Sequence, residues 1–275
     1  MEGADAARPI ADVSDRSIQE LVSLAGRHAV VTGGGQGLGK AIARRLAEAG
    51  ADVLIGDIKE ALATAAAAEL DARYPGRVVG TFMDVTDSAT AATAADLACE
   101  RFGGLDIWVN NAGIYPNVRI LDMSDGLWDD VFAVNVRGLF AGSREAARRM
   151  IAAERGGVIV NIASTAGFKG VAPGVAAYVA SKHAVRGATR QMALELAPHA
   201  IRVLGVAPTF CMTEGNMAAV AANPKVAEEI AAVANSRLGR VGVPDDIARA
   251  VLFCASDMAI FMTGSTLLLD AGETI

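Results

Sequence analysis

The chain is predicted to form a doubly wound α/β domain, a Rossmann-like parallel sheet flanked by helices. Three observations carry that prediction. Short apolar runs alternate with longer Ala-rich segments from His28 onward. The apolar runs are continuous and rich in Val and Ile, as strands covered on both faces require. The first run leads straight into a glycine loop, Thr32–Gly39. Strands alternating with helices imply right-handed crossovers and a parallel sheet.

Ser17 to Leu24 suits a short helix within an otherwise polar start. His28–Thr32 is the first strand. Gly37–Ala49 is a helix ended by Gly50. Asp52–Gly56 is the second strand, closed by Asp57, and Lys59–Arg73 is an Ala-rich helix that stops before Pro75. Arg77–Phe82 is a strand, after which Thr86 or Asp87 can cap the next helix. Leu105–Val109 is a strand ending in Asn110-Asn111-Ala112-Gly113. One long helical region is expected over Ser124 to Ala153, then a strand over Gly157–Ile162. Val175–Ala197 is helical and Pro198 ends it; Ile201–Val206 is a strand. Pro244–Ala255 is helical, with Pro244 suited to a first turn, and Thr266–Leu269 is the last strand.

No linker or repeat divides the 275 residues, so one domain is expected over 27–275, preceded by an extension over residues 1–26. That extension either lacks order or wraps a neighbouring subunit. A 52% hydrophobic content supplies a large core. The net charge of −6 and the lack of a basic patch argue against a nucleic-acid partner. Cys99, Cys211 and Cys254 are scattered, without metal-ligand spacing, which points to a reducing compartment. The first residues carry acids and no apolar core, so no signal peptide is expected. No stretch reads as a membrane span, and a cytoplasmic location follows.

The loop Gly33-x-x-x-Gly37-x-Gly39 lies between a strand and a helix. Glycines there allow a tight turn and a close backbone approach to a pyrophosphate. The helix N-terminus adds free N–H groups and a positive dipole end. Gln36 and Leu38 belong to the same loop. Asp57, eighteen residues after Gly39, is placed to accept from ribose hydroxyls and to repel a 2′-phosphate, which favours NAD over NADP. It can also cap the following helix.

Tyr178 and Lys182 are four residues apart and so share a helix face. A cation at that spacing stabilises phenolate and is expected to draw the tyrosine pKa down from about 10. Such a tyrosine can move a proton to or from a substrate oxygen. Ser164 lies upstream where an apolar run ends. Together with the glycine loop, these residues point to a nicotinamide-dependent oxidoreductase.

From about His28 to Gly272 the chain resembles the classical short-chain dehydrogenase/reductase family. Thr32 to Gly39, Asn110 to Gly113, Asn135, Ser164, Tyr178 and Lys182 match its motifs. The resemblance implies a single domain with seven parallel strands and hydride transfer at the nicotinamide pro-S face. It implies that Asp84 and Val85 contact adenine and that Asn111, with Ala112 and Gly113, lies on the adenosine side. It implies that Pro208 and Thr213 flank the nicotinamide and phosphates. Thr209 stands where the family usually has glycine, which would strain the loop if that position needs positive φ. A homotetramer is implied too.

In that reading Tyr178 is the general acid/base, Lys182 holds the nicotinamide ribose, Ser164 orients the reacting oxygen, and Asn135 holds a water leading to Lys182. No metal is required. Ile114, Tyr115, Phe168, Val175, Phe210 and Met217 are expected to line an apolar substrate pocket. Lys169 and Arg119 are the nearby cations that could meet an acid group. Thr213 to Ser236, within a substrate loop of about 209–236, is expected to act as a lid. The favoured function is an NAD-dependent alcohol dehydrogenase or ketone reductase. The alternatives are an NADPH-dependent reductase of the 3-oxoacyl carrier-protein type and a non-catalytic NAD sensor.

Overall fold

A computed structural model describes residues 8–217 and 237–275. The lid expected over Thr213–Ser236 therefore lies largely outside the described residues. The sheet has seven parallel strands in the order β3-β2-β1-β4-β5-β6-β7. They are β1 His28–Thr32, β2 Asp52–Asp57, β3 Val78–Phe82, β4 Ile107–Asn110, β5 Gly157–Ile162, β6 Ile201–Pro208 and β7 Thr266–Leu269. The α-helices bounded within the described residues are α1 Ile18–Val22, α2 Gly37–Glu48, α3 Glu60–Asp71, α4 Ser88–Phe102, α5 Asp125–Phe132, α6 Leu139–Ala152, α7 Ala176–Leu196 and α8 Pro244–Ala255.

Strand alternation sends successive side chains to opposite faces. Ala29, Val31, Val53, Ile55, Ile107 and Val109 pack on one face with Ile42 and Leu46 of α2, alanines of α3 and Val251 of α8. Val30, Leu54, Trp108, Ile159 and Val203 pack on the other with Ala91 and Ala95 of α4, Met150 of α6 and Ala193 of α7. The alanines let α3 lie close to the sheet. A Cβ at Gly80 would stand only 2.5 Å from the Ala63 carbonyl oxygen.

Asp87, not Thr86, caps α4, accepting from Ala89 N–H at 2.9 Å. Three details refine the sequence reading. The long helical region expected over Ser124 to Ala153 is present and contains a π-helical turn, Ala133–Gly138. Its extra residue re-aims the chain, a feature frequent at functional sites. Over its described part, residues 8–26, the extension packs on its own domain. Ser17 and Glu20 form a capping box on α1, Leu24 is buried, and Arg16 and Arg27 both pair with Asp257. Thr209 is not among the residues with positive φ, so the feared strain is absent.

Candidate active site

The parallel strands deliver their carboxyl ends to one edge, where open α/β sheets bind ligands. The glycine loop forms that edge between β1 and α2. Gly33 and Gly37 have φ of +60° and +58°, the region glycine tolerates. A Cβ on Gly39 would meet the Gly33 carbonyl oxygen at 2.3 Å and Asn111 Nδ2 at 2.5 Å. Gln36 is the exposed N-cap residue of α2, and Leu38 packs onto the core.

Asp57 is buried at the end of β2. Its carboxylate accepts from Gly35 N–H and from Lys59 N–H, each at 3.0 Å. Asn111 joins the ends of β4 and β1: its Nδ2 donates to the carbonyls of Thr32 and Gly33, each at 2.9 Å. Thr32 Oγ1 accepts from the N–H groups of Asn111 and Ala112, each at 3.0 Å. At the end of β3, Asp84 accepts from Thr86 N–H, while Val85 packs beside the π-helical turn against Gly138. Thr213, five residues beyond Pro208, lies against the loop, 3.5 Å from where a Gly37 Cβ would stand.

This cradle fits a dinucleotide on a specific observation. Gly37 N–H, at the start of α2, donates to a carboxylate oxygen of Glu214 at 3.0 Å. An anionic oxygen already occupies the kind of position a phosphate oxygen takes at a helix N-terminus.

The four expected catalytic side chains converge next to it. The π-helical turn points Asn135 inward, where Nδ2 donates to the Ile114 carbonyl at 2.9 Å and Ser181 Oγ at 3.1 Å. Its Oδ1 accepts from Ile114 N–H at 2.9 Å. A Cβ on Gly113 would lie 3.2 Å from Asn135 Oδ1 and 3.8 Å from Lys182 Nζ. Lys182 is buried and donates to the Ile162 carbonyl at 2.7 Å. Ser164, just beyond β5, accepts from Ala166 N–H at 3.1 Å, which leaves its own proton to donate.

The electrostatics correct the expectation for Tyr178. Burial pushes its phenol above the ordinary value, and the hydrogen bond from Ser164 pulls it back only in part. Lys182 Nζ sits 5.6 Å from the centroid of the Tyr178 ring, over its face, and spends a donor on Ile162. The same burial pushes the Lys182 ammonium down to about 8. The dry pocket thus disfavours both charges.

The residues expected to line the substrate pocket lie in different settings. The ring of Tyr115 meets that of Tyr178 edge-on at 5.9 Å, and its hydroxyl donates to Asn216 at 2.8 Å. Ile114 and Met217 are exposed, and Val175 precedes α7. Phe210 borders a small cavity with Thr209 and Arg240. Phe168 departs from the expected wall: its ring stacks under Arg186 at 3.4 Å and packs against Leu139, Ala163 and Val185. Lys169 is no free cation, because Glu273 pairs with it at 3.1 Å. Glu273 also takes the Thr209 hydroxyl. Cys211 is buried, and its thiol is pushed up to about 12, which makes it inert.

Sequence reasoning missed a buried polar chain beneath the site. Trp108 Nε1 donates to Asn110 Oδ1 at 2.7 Å, and Asn110 Nδ2 donates to Ser143 Oγ and Asn161 Oδ1, each at 2.8 Å. Asn161 Nδ2 donates to Thr189 Oγ1 at 3.0 Å. The available signal was two asparagines at the ends of apolar strands, which register pairs directly.

A family model described as enoyl-(acyl carrier protein) reductase matches residues 33–274. The chain is 40% identical over 245 residues to a cyclopentanol dehydrogenase from Comamonas sp., covering 89% of this chain and 96% of that protein. The chain belongs to the short-chain dehydrogenase/reductase family. Another family member, a 3-oxoacyl-(acyl-carrier-protein) reductase from Thermotoga maritima, is 35% identical over 92% of this chain and 99% of its own. A solved short-chain type dehydrogenase/reductase from Mycobacterium marinum superposes with a TM-score of 0.85 at 35% identity, covering 94% of this chain and 99% of that one. Family membership makes this an oxidoreductase. Among the described residues, no helix is long and apolar enough to cross a membrane.

Proposed function

We propose that the chain is an NAD-preferring dehydrogenase that interconverts a secondary alcohol and a ketone. The observation that carries this reading is the meeting of Ser164, Tyr178, Lys182 and Asn135 beside a glycine loop that holds Asp57.

The glycine loop, Asp57, Asn111 and Thr213 would hold the dinucleotide, with Lys182 toward its nicotinamide ribose. When bound, the nicotinamide accepts or gives the hydride. Tyr178 takes the alcohol proton in oxidation and returns it in reduction. Ser164 donates to the reacting oxygen and fixes its position. Lys182 passes protons onward, and Asn135 fixes the Ile114 backbone that walls its far side. The half-exposed apolar residues Ile114, Tyr115 and Met217 favour an uncharged substrate of moderate size, since Lys169 is already paired. We further propose a cytoplasmic homotetramer.

The second reading, an NADPH-dependent 3-oxoacyl reductase, draws on the similarity to the Thermotoga maritima reductase. The buried carboxylate of Asp57 counts against it, because that charge opposes a 2′-phosphate. Purified protein with a panel of secondary alcohols, given NAD⁺ and NADP⁺ separately, tests both. NADH formation with NAD⁺ alone is expected. Preferential turnover with NADP⁺ would replace this reading by the second.

A further inference from the structure

At the amino-terminal edge of the sheet, away from the site above, lies a cavity of about 260 Å³. Its walls are the starts of β5 and β6 and the segment from Arg8 to Arg16. Among the described residues, five arginines line it, Arg8, Arg16, Arg27, Arg155 and Arg202, against one carboxylate, Asp257. Arg16 and Arg27 share that carboxylate. Arg155 pairs with Asp106 at 3.0 Å, and Arg8 reaches Glu154. Even with these two acids counted, the cations are in excess among the described residues.

Arg202 is the unusual member. It is 6% exposed and donates to the carbonyls of Ala259 at 3.0 Å and Ser256 at 3.4 Å. It meets no carboxylate at ion-pair distance among the described residues. Burial pushes its guanidinium down to about 10, so it stays a cation at neutral pH. Asp257 attracts it only from beyond ion-pair distance, and that carboxylate is already shared by Arg16 and Arg27. A buried cation hydrogen-bonded to carbonyls is costly unless an anion compensates it. Guanidinium forks match the oxygens of phosphate and carboxylate groups in pairs.

We infer that this cavity is a second ligand site, built for a compact oxyanion of charge two or more, of the phosphate or polycarboxylate type, with residues 8–16 as its roof. The volume lies just below the usual range for drug-sized ligands, roughly 300–1,000 Å³. It therefore selects a small anion over a dinucleotide. The strands that start here are the ones that end near Ser164 and Thr209, so the two sites lie roughly 17 Å or more apart, a strand's length.

Titration calorimetry on the full chain, with pyrophosphate and with citrate in turn, tests the inference. Saturating NAD⁺ or NADP⁺, whichever binds, keeps the glycine loop filled. One anion is expected to bind one per chain with micromolar affinity, and its identity decides between phosphoryl and polycarboxylate chemistry. Arg16→Ala and Arg155→Ala, both on partly exposed side chains, should each weaken it at least about tenfold and leave dinucleotide affinity unchanged. Amide exchange over residues 8–16 should slow when the anion is present. Absence of binding at millimolar anion, or binding that both variants leave intact, overturns the inference.

Discussion

The Glu214 carboxylate accepts the Gly37 N–H at 3.0 Å, so a side chain of the substrate loop rests on the phosphate cradle. The turn that carries it is anchored by Asn216, which donates to the Cys211 carbonyl at 2.7 Å and accepts from Tyr115. An incoming pyrophosphate meets this carboxylate as a competitor and as a like charge. Glu214→Gln keeps the side chain's size and removes the charge. It should tighten dinucleotide binding about three- to tenfold, with the gain shrinking at high salt. Calorimetric affinities of both proteins check this; equal or weaker binding by the variant shows that the carboxylate does not compete.

Asp57 has two tasks that one substitution can separate. Its charge opposes a 2′-phosphate, and its two oxygens hold the N–H groups of Gly35 and Lys59. Asp57→Asn retains one acceptor and loses the charge. The ratio of kcat/KM with NADP⁺ to that with NAD⁺ should rise at least about tenfold. Stability should fall by about 1–2 kcal/mol, since one loop N–H loses its acceptor. Steady-state kinetics with both cofactors and urea unfolding separate the two effects.

Tyr178→Phe removes only the hydroxyl. Turnover should fall by about 10²- to 10⁴-fold, the usual worth of a positioned acid/base. Dinucleotide affinity should stay within about twofold, because Lys182, Asp57 and the loop are untouched. Turnover that survives in the variant moves the proton transfer to another group.

The elements were legible because each strand and helix carried its own period and its own stop. Gly50 and Pro198 stand two residues past the ends of α2 and α7, and Pro75 four past the end of α3. The catalytic spacing of Tyr178 and Lys182 was visible because a helix fixes what four residues apart means. What stayed hidden depends on contacts between distant segments. The π-helical turn at Asn135 leaves no mark in the apolar pattern of α5 and α6. The capture of Lys169 by Glu273 joins residues 104 positions apart. The raised phenol of Tyr178 comes from desolvation, which a four-residue spacing does not report.

Lys182 links stability to pH. Its folded value, about 8, lies below the ordinary 10.5, so the unfolded chain holds this proton over a range where the folded chain has released it. Its contribution to stability therefore rises with pH between about 8 and about 10.5, and below that range the buried ammonium destabilises the fold. Lys182→Met should raise the Tm at pH 7 by a few degrees, an effect on the order of 1–3 kcal/mol, while abolishing turnover. The gain should shrink toward pH 10. In the wild type, ketone reduction should hold level at neutral pH and decline above about 8, as the proton held at Lys182 is lost. Thermal melts and a pH-rate profile read the two consequences independently.

The chain Trp108–Asn110–Asn161–Thr189 ties β4, β5 and α7 together under the catalytic edge, and Ser143 adds α6. Every member is buried, so water cannot replace a lost partner. Asn110 is the hub: it takes the Trp108 indole proton and supplies Ser143 and Asn161. Asn110→Leu leaves the indole N–H without an acceptor and should cost about 3 kcal/mol or more. Ser143→Ala removes one neutral acceptor and should cost about 1 kcal/mol. If the network acts as a unit, the double variant will lose less than the sum of the two, because Ser143 has no Asn110 left to serve. Urea unfolding of the four proteins measures that coupling. Strict additivity would mean that Ser143 acts independently of Asn110, which leaves the bonds of Asn110 to Trp108 and Asn161 as the tie between β4 and β5.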